Sequence, residues 1–176
     1  MTWKLLKNTV GFPFLDQQQE YFTADLFGAS IETTSTTLDW ILAYMAQNPS
    51  VQKKLQKEID EVVGDSRLPS LADRPAMPYA DAVMHELLRR SSIFPIGVHH
   101  KVMKDVDFHG YRIPKDTMIL ANLYGVHHDP TVYKNPEVFL PERFLGDEGK
   151  ILRSEAFFPF STGKRGCKKK HYFLLI

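Results

Sequence analysis

Apolar positions along this chain change period several times, and those changes mark out its elements. Glu20 to Asn48 reads as one long helix, ended by Pro49. Its middle is unusual. Gly28, Ser30 and the run from Thr33 to Thr37 are weak helix formers, each costing a few tenths to ~1 kcal/mol relative to alanine. Asn48 fits an N-cap with Pro49 at the first helical position. The next helix runs to about Val63, with Val51, Leu55, Ile59 and Val62 on one face, and Gly64 suits the C′ position. Asp65 to Met77 is a loop punctuated by Pro69 and Pro75. Tyr79 to Arg90 is a short amphipathic helix with Ala80, Val83, Leu87 and Leu88 apolar, and Pro95 stops its continuation.

After Gly97 the pattern shortens. Val98 to Lys104 and Met118 to Ala121 read as strands, with turn signals at His109-Gly110 and from Pro114 to Asp116. From Asp129 onward the chain is punctuated by Pro130, Pro136 and Pro141, while Val138, Phe139 and Phe144 are interleaved through it. That mixture predicts an ordered, packed coil instead of a flexible linker. The fold class is therefore mainly α with a small β-sheet, and no domain boundary is visible.

Composition narrows the function classes. The 176 residues are enough for one ordinary core, and 43% are hydrophobic, which fits a globular chain. Lys and Arg number 22 against 21 Asp and Glu, a net charge of +1, so there is no nucleic-acid footprint. One cysteine excludes an internal disulfide and suits a reducing compartment. No apolar run is long enough to span a bilayer, and Met1 to Val10 lacks the apolar segment of a signal peptide.

The single cysteine, Cys167, ends the run Pro159-Phe160-Ser161-Thr162-Gly163-Lys164-Arg165-Gly166-Cys167. A lone cysteine is most often a buried, inert small hydrophobe. The surrounding pattern points elsewhere, to a tight glycine loop that presents one thiolate to a metal. Gly163 lets the backbone turn sharply and approach a ligand, and exposed backbone N–H groups in such a turn can face the sulfur. Arg165 can hold an anionic carboxylate by charge-assisted hydrogen bonds, and Phe160 supplies an apolar wall that limits water. A cysteine thiolate bound to haem iron pushes electron density onto the iron and favours O–O cleavage.

The spacing Phe-x-x-Gly-x-Arg-x-Cys resembles the haem-ligand loop of the cytochrome P450 monooxygenases, in the form of their animal microsomal branch. That resemblance implies an incomplete cytochrome P450 fold, from a central helix through the ligand loop. It implies haem b held by Cys167 as the axial iron ligand, with Arg165 and His100 on the propionates and Phe160 and Gly163 in the loop. The long helix carries Ala29-Ser30-Ile31-Glu32-Thr33-Thr34, similar to the family's Ala-Gly-x-Glu/Asp-Thr-Thr. On that analogy Glu32 and Thr33 relay protons, Ala29 leaves room for oxygen, and the helix's hydrogen-bond ladder opens locally. Ser30 stands where the family usually has glycine.

Three further residues match a structural network of the family: Glu86 and Arg89, spaced i,i+3, and Arg143 of Pro141-Glu142-Arg143-Phe144. An isolated Glu–Arg pair on a helix is usually a surface pair worth ~0–1 kcal/mol; the resemblance implies a buried one. Phe94 and Val98 match the stretch that lines the family's substrate pocket, although both equally suit a core. His99-His100 and His127-His128 raise a zinc-binding module as a rival, but adjacent histidines on a strand point to opposite faces, so zinc is not expected. His127 and His128 are expected at the surface or in a loop, with no function.

The resemblance covers Tyr21 to Cys167, which divides the chain into an unmatched segment 1–19, a partial cytochrome P450 domain 20–167 and a divergent tail 168–176. Lys169 replaces the family's next glycine. The implied function is a haem-thiolate monooxygenase inserting one atom of O2 into a small apolar substrate, with electrons from NADPH through a reductase. The full-length relative would sit on the cytosolic face of the endoplasmic reticulum membrane. The alternative is a catalytically dead, truncated haem-binding or interaction fragment, and activity of this chain alone is expected to be absent. Apolar faces without partner helices lose ~25 cal/mol per Å², against a native margin of ~5–15 kcal/mol. The isolated chain is therefore expected to be poorly folded, aggregation-prone and a weak haem binder at best. Calorimetry checks this, since a soluble monomer with a cooperative melt is the opposite result.

Overall fold

A computed structural model describes residues 16–147, 149–152, 154–164 and 166–167. The chain forms two compact units, 1–36 and 37–176. Helix α1, Asp16–Gln47, runs from the first into the second. No helix among the described residues is long and apolar enough to cross a membrane.

In the first unit α1 is an unbroken α-helix, so the expected local opening of its ladder is not found. The weak helix formers bond back to their own helix instead. Ser30 Oγ donates to Leu26 O at 2.7 Å, Thr33 Oγ1 to Ala29 O at 2.7 Å, and Ser35 Oγ to Ile31 O at 2.9 Å. Each hydroxyl thus shares a carbonyl that the ladder already uses, which leaves the helix intact. Phe22, Phe27 and Ile31 remain exposed.

The second unit begins with the last turns of α1 and continues through α2, Pro49–Val62, and α3, Pro78–Ser91. Asn48 holds the N-cap position of α2, but its side chain does not cap that helix. Its Nδ2 donates 2.8 Å back to Tyr44 O, so it closes α1 while Pro49 opens α2. Gly64 follows α2 at φ +65°, the left-handed conformation that favours glycine after a helix. Between α2 and α3 the expected loop contains a 3-10 helix, Leu71–Ala76. Ser70 and Asp73 form a capping box at its start, too short a signal to stand out in periodicity.

The core lies where these helices meet the proline-rich coil. Met45, Val51, Val83, Leu87 and Phe139 form one cluster, and Tyr44 stacks on Phe139 with ring centroids 4.6 Å apart. Ala82, Tyr133 and Phe144 form a second, with Ile151 and Phe157 packed against it. Helix α3 therefore buries a wider face than its apolar positions predict. Glu86 and Arg89 are buried in it alongside Val83 and Leu87.

The strands are shorter and more numerous than expected. β1, His100–Lys101, pairs antiparallel with β4, Met118–Ile119. Between them β2, Val106–Phe108, and β3, Tyr111–Ile113, form a hairpin closed by His109 and Gly110 at φ 48° and 84°. Two positive-φ residues make the primed turn that suits strand twist. The sequence shows that turn but not its strands, because β2 has no buried face to impose an alternation. A one-turn helix, α4, Leu123–His127, then starts where Asn122 Oδ1 accepts the Gly125 N–H at 2.9 Å. The coil that follows ends in a 3-10 helix, Pro141–Phe144.

Helix α3 has no useful cap of its own, since its N-cap is Met77. The Glu58 carboxylate of α2 reaches across instead, accepting the Tyr79 N–H at 2.8 Å and the Ala80 N–H at 2.7 Å. Those are two of the four donors that every helix start leaves open. Glu58→Ala is expected to cost about 1 kcal/mol at this helix end. Hydrogen exchange at the Tyr79 and Ala80 amides should then quicken about fivefold, and less in Glu58→Gln.

Candidate functional site

The best-built polar feature is the buried cluster of Glu86, Arg89 and Arg143. Glu86 and Arg89 are both 0% exposed. Arg89 faces Glu86 fork to fork: Nε donates to Oε2 and Nη2 to Oε1, each at 2.8 Å. Arg143 Nε donates to Oε1 of the same carboxylate at 3.2 Å, and the Leu140 N–H reaches it at 2.9 Å. The outward sides of both guanidiniums hold the coil. Arg89 donates to His127 O at 2.6 Å and Pro136 O at 2.7 Å, and lies 5.1 Å from the Tyr133 ring centroid. Arg143 donates to the carbonyls of Lys134, Asn135 and Val138. The structure thus brings these three sequence-singled residues together, and what they clamp is a coil whose carbonyls accept from the two guanidiniums.

The two histidines beside this cluster lie elsewhere than expected. His127 is 1% exposed and His128 is buried too, both at the end of α4. Neither is a surface residue. Arg89 fastens the backbone of His127, and the stacked ring of Tyr124, 3.9 Å away, covers His128. Burial, then the nearby Arg89 charge, pushes the His127 pKa down to about 4, so it is neutral near pH 7. Burial also lowers that of His128, whose Nδ1 donates to Tyr124 O at 3.0 Å. A polar pair in a loop-like sequence gives no sign of burial, and the buried arginine that attracts it comes from 38 residues earlier.

His127 connects the cluster to the cysteine loop. Its Nε2 accepts the Phe158 N–H at 3.3 Å. Phe158 O then accepts the Ser161 N–H at 2.9 Å, and Phe160 O accepts the Cys167 N–H at 2.9 Å. That last bond closes the loop. Gly163 sits at φ +76°, and nothing among the described residues lies within 4 Å of where a Cβ would point. Gly166, which the motif reading passed over, is needed for a different reason. A Cβ there would meet Gly163 O at 3.3 Å, tighter than side-chain carbons usually pack. The amides of Gly166 and Cys167 are used on loop carbonyls, so neither is aimed at the sulfur as the turn suggested. Arg165 lies outside the described residues.

Ala29 and Thr33 share one face of α1, joined by the Thr33 hydroxyl, and Glu32 is exposed there. His100 is exposed on β1 opposite Ile119. Phe94 and Val98 are 49% and 67% exposed, so neither is a core residue. Among the described residues no hydrogen bond joins His100, Phe94 or Val98 to the cysteine loop.

The donor chemistry can be tested against the cofactor. Cys167 is free and exposed at the end of its closed loop. Among the described residues no group of three His, Cys, Asp or Glu could hold a bare metal ion. One sulfur on an open face suits an iron that brings its other donors with it, as a porphyrin does. The open space beside Gly163 fits the close approach of a flat group. These residues fit haem.

Comparison with known proteins agrees. The family profile described as Cytochrome P450 matches residues 6–168, ahead of and through the motifs above. The chain is 42% identical over 161 residues to Cytochrome P450 2U1 of Homo sapiens, covering 92% of this chain and 30% of that protein. It is 50% identical over 145 residues to Cytochrome P450 2J2 of Homo sapiens, with 82% and 29% covered. It is 46% identical over 154 residues to Cytochrome P450 2D4 of Rattus norvegicus, with 88% and 31% covered. The chain thus spans about 30% of the length of these curated relatives. A mainly helical fold with two small antiparallel sheets, a cysteine loop on a clamped coil and a profile match across most of the chain lead to one conclusion: this chain belongs to the cytochrome P450 family.

Proposed function

We propose that this chain is the haem-ligand part of a haem-thiolate monooxygenase acting on a small apolar substrate. Haem b, when bound, supplies the iron chemistry that places one atom of O2 in a substrate, with electrons from NADPH through a reductase. Cys167 would hold the iron through its sulfur, Gly163 would let the group approach closely, and Phe160 would give the loop an apolar wall. Glu32 and Thr33 hold and pass protons, and Ala29 keeps their helix face narrow in side-chain bulk. Arg165 and His100 take the propionates. Glu86, Arg89 and Arg143 stay out of the chemistry and fix the coil before the loop. The endoplasmic reticulum membrane, on its cytosolic face, is the proposed location of the whole protein.

The observation that carries this reading is the closed loop that ends in an exposed, solitary thiol on a clamped coil. A second reading, a haem-binding or interaction piece without catalysis, is favoured by Phe94 and Val98. Residues proposed for a substrate pocket are largely exposed to solvent.

Haem is added to the chain, reduced and exposed to carbon monoxide, and the Soret band is recorded. A thiolate-type band that disappears in Cys167→Ser is expected; nitrogen-type ligation in both proteins sinks the proposal. Product formed with a reductase separates the first reading from the second, and zinc uptake without haem uptake contradicts both. The structural role of the cluster has its own test. Arg89→Met leaves Glu86 buried without its main partner, a loss of about 3–5 kcal/mol. Limited proteolysis between His128 and Arg143 should then speed up at least about tenfold.

A further inference from the structure

His127 accepts two hydrogen bonds, one on its backbone and one on its ring. Its backbone carbonyl accepts from Arg89 at 2.6 Å, and its ring Nε2 accepts the Phe158 N–H at 3.3 Å. An amide can only donate, so Nε2 bears the lone pair and the proton of the neutral ring sits on Nδ1. That Nδ1 is buried with no hydrogen-bond partner among the described residues. The ring lies beside Phe157 and Phe158, with centroids 5.9 and 5.7 Å away. A phenyl ring would fill such a place without stranding a polar atom, which is costly in a buried site. Packing therefore does not account for an imidazole here, and the Phe158 amide does. The same burial that lowers the His127 pKa keeps Nε2 free to accept.

Phe158 stands where the coil turns into the cysteine loop. Its carbonyl holds the Ser161 N–H, and two residues on, Phe160 O holds the Cys167 N–H. Ser161 sits at φ 61°, a conformation most residues avoid, so this turn needs support from outside itself. The only ring nitrogen bonded to the Phe158 amide among the described residues is that of His127.

We infer that His127 is a positioning residue for the Cys167 loop, fixing the Phe158 amide through Nε2 and so tying the loop to the Glu86–Arg89 cluster. Its significance for haem rests on the reading of Cys167 as the sulfur donor; its role in setting the loop does not.

Cys167 is the chain's single cysteine, so a nitroxide attached to it reports on the loop without cofactor. The full chain is compared with His127→Phe, His127→Gln and His127→Asn. Glutamine places its oxygen near where Nε2 was, asparagine near Nδ1. Exchange at the Phe158 amide should quicken at least about tenfold, and the label should gain mobility, in the Phe and Asn variants. Gln should restore both, with the Leu87 and Leu88 amides of α3 protected as in the parent. On haem addition, reduction and carbon monoxide, the Phe and Asn variants should lose part of the thiolate-type band and Gln should keep it. Parent-like exchange and label mobility in His127→Phe overturn the inference. So does a loosening shared by α3, or a failure of Gln to rescue, either of which leaves His127 a packing residue. If instead the label results stand while Cys167→Ser leaves the haem spectrum unchanged, the thiolate reading falls and the anchor remains.

Discussion

A single buried carboxylate organises the second unit. Glu86 has no exposure, and removing such a charge from water is costly unless its oxygens are fully occupied. Here two guanidiniums and the Leu140 amide occupy them. One carboxylate against two arginines leaves an excess positive charge. The carbonyls of His127, Lys134, Asn135, Pro136 and Val138 take it up, each accepting from the outer side of Arg89 or Arg143. Arginine suits this place because its rigid fork can face a carboxylate on one side and carbonyls on the other. Lysine, a point charge with no fork, could not do both.

The proline-rich coil explains why so many carbonyls need a donor. Pro130, Pro136 and Pro141 lack N–H groups and break any ladder, so the carbonyls between them have few backbone partners. In a helix or sheet those partners would be built in. Here they are imported from α3 by Arg89, and Arg143 folds the far end of the coil onto the same carboxylate. Tyr133, Phe139 and Phe144 complete the arrangement from the apolar side. Coil and helix are thus one packed body, which is what allows a short loop at its end to hold a definite shape.

How much of this the sequence disclosed depended on whether the information was local. The long helix, the Pro49 break, Gly64 and the His109-Gly110 turn were all readable, because propensity and backbone freedom act within a few residues. Cys167 and its loop were readable from spacing, and the pairing of Glu86 with Arg89 from helix geometry. What was not readable depended on contacts between distant segments. Nothing near Asn48 says that its side chain turns back to Tyr44. Nothing near His127 says that Arg89 will bury it. The role of Glu58 as a remote cap was hidden for the same reason. The serine and threonine run on α1 misled in the other direction, since the family analogy implied an opening there. Hydroxyls that bond back to the fourth carbonyl can be accommodated without one.

The loop that ends at Cys167 is small, exposed and partly in left-handed conformations, at Ser161 and Gly163. By itself such a turn would sample several shapes, and the Cys167 side chain at its end would have no fixed direction. Its rigidity has to come from its two ends. At the entering end, Phe157 packs against Phe144 with ring centroids 5.2 Å apart, and the Phe158 amide meets His127. At the closing end, the Cys167 amide returns to Phe160. Both ends therefore refer back to Glu86, the first through His127 and Arg89, the second through the loop itself. The loop that ends at Cys167 is thus linked, through Phe158, His127 and Arg89, to a carboxylate buried in a helix eighty-one residues earlier, and hydrogen bonds to backbone carry that link across the coil.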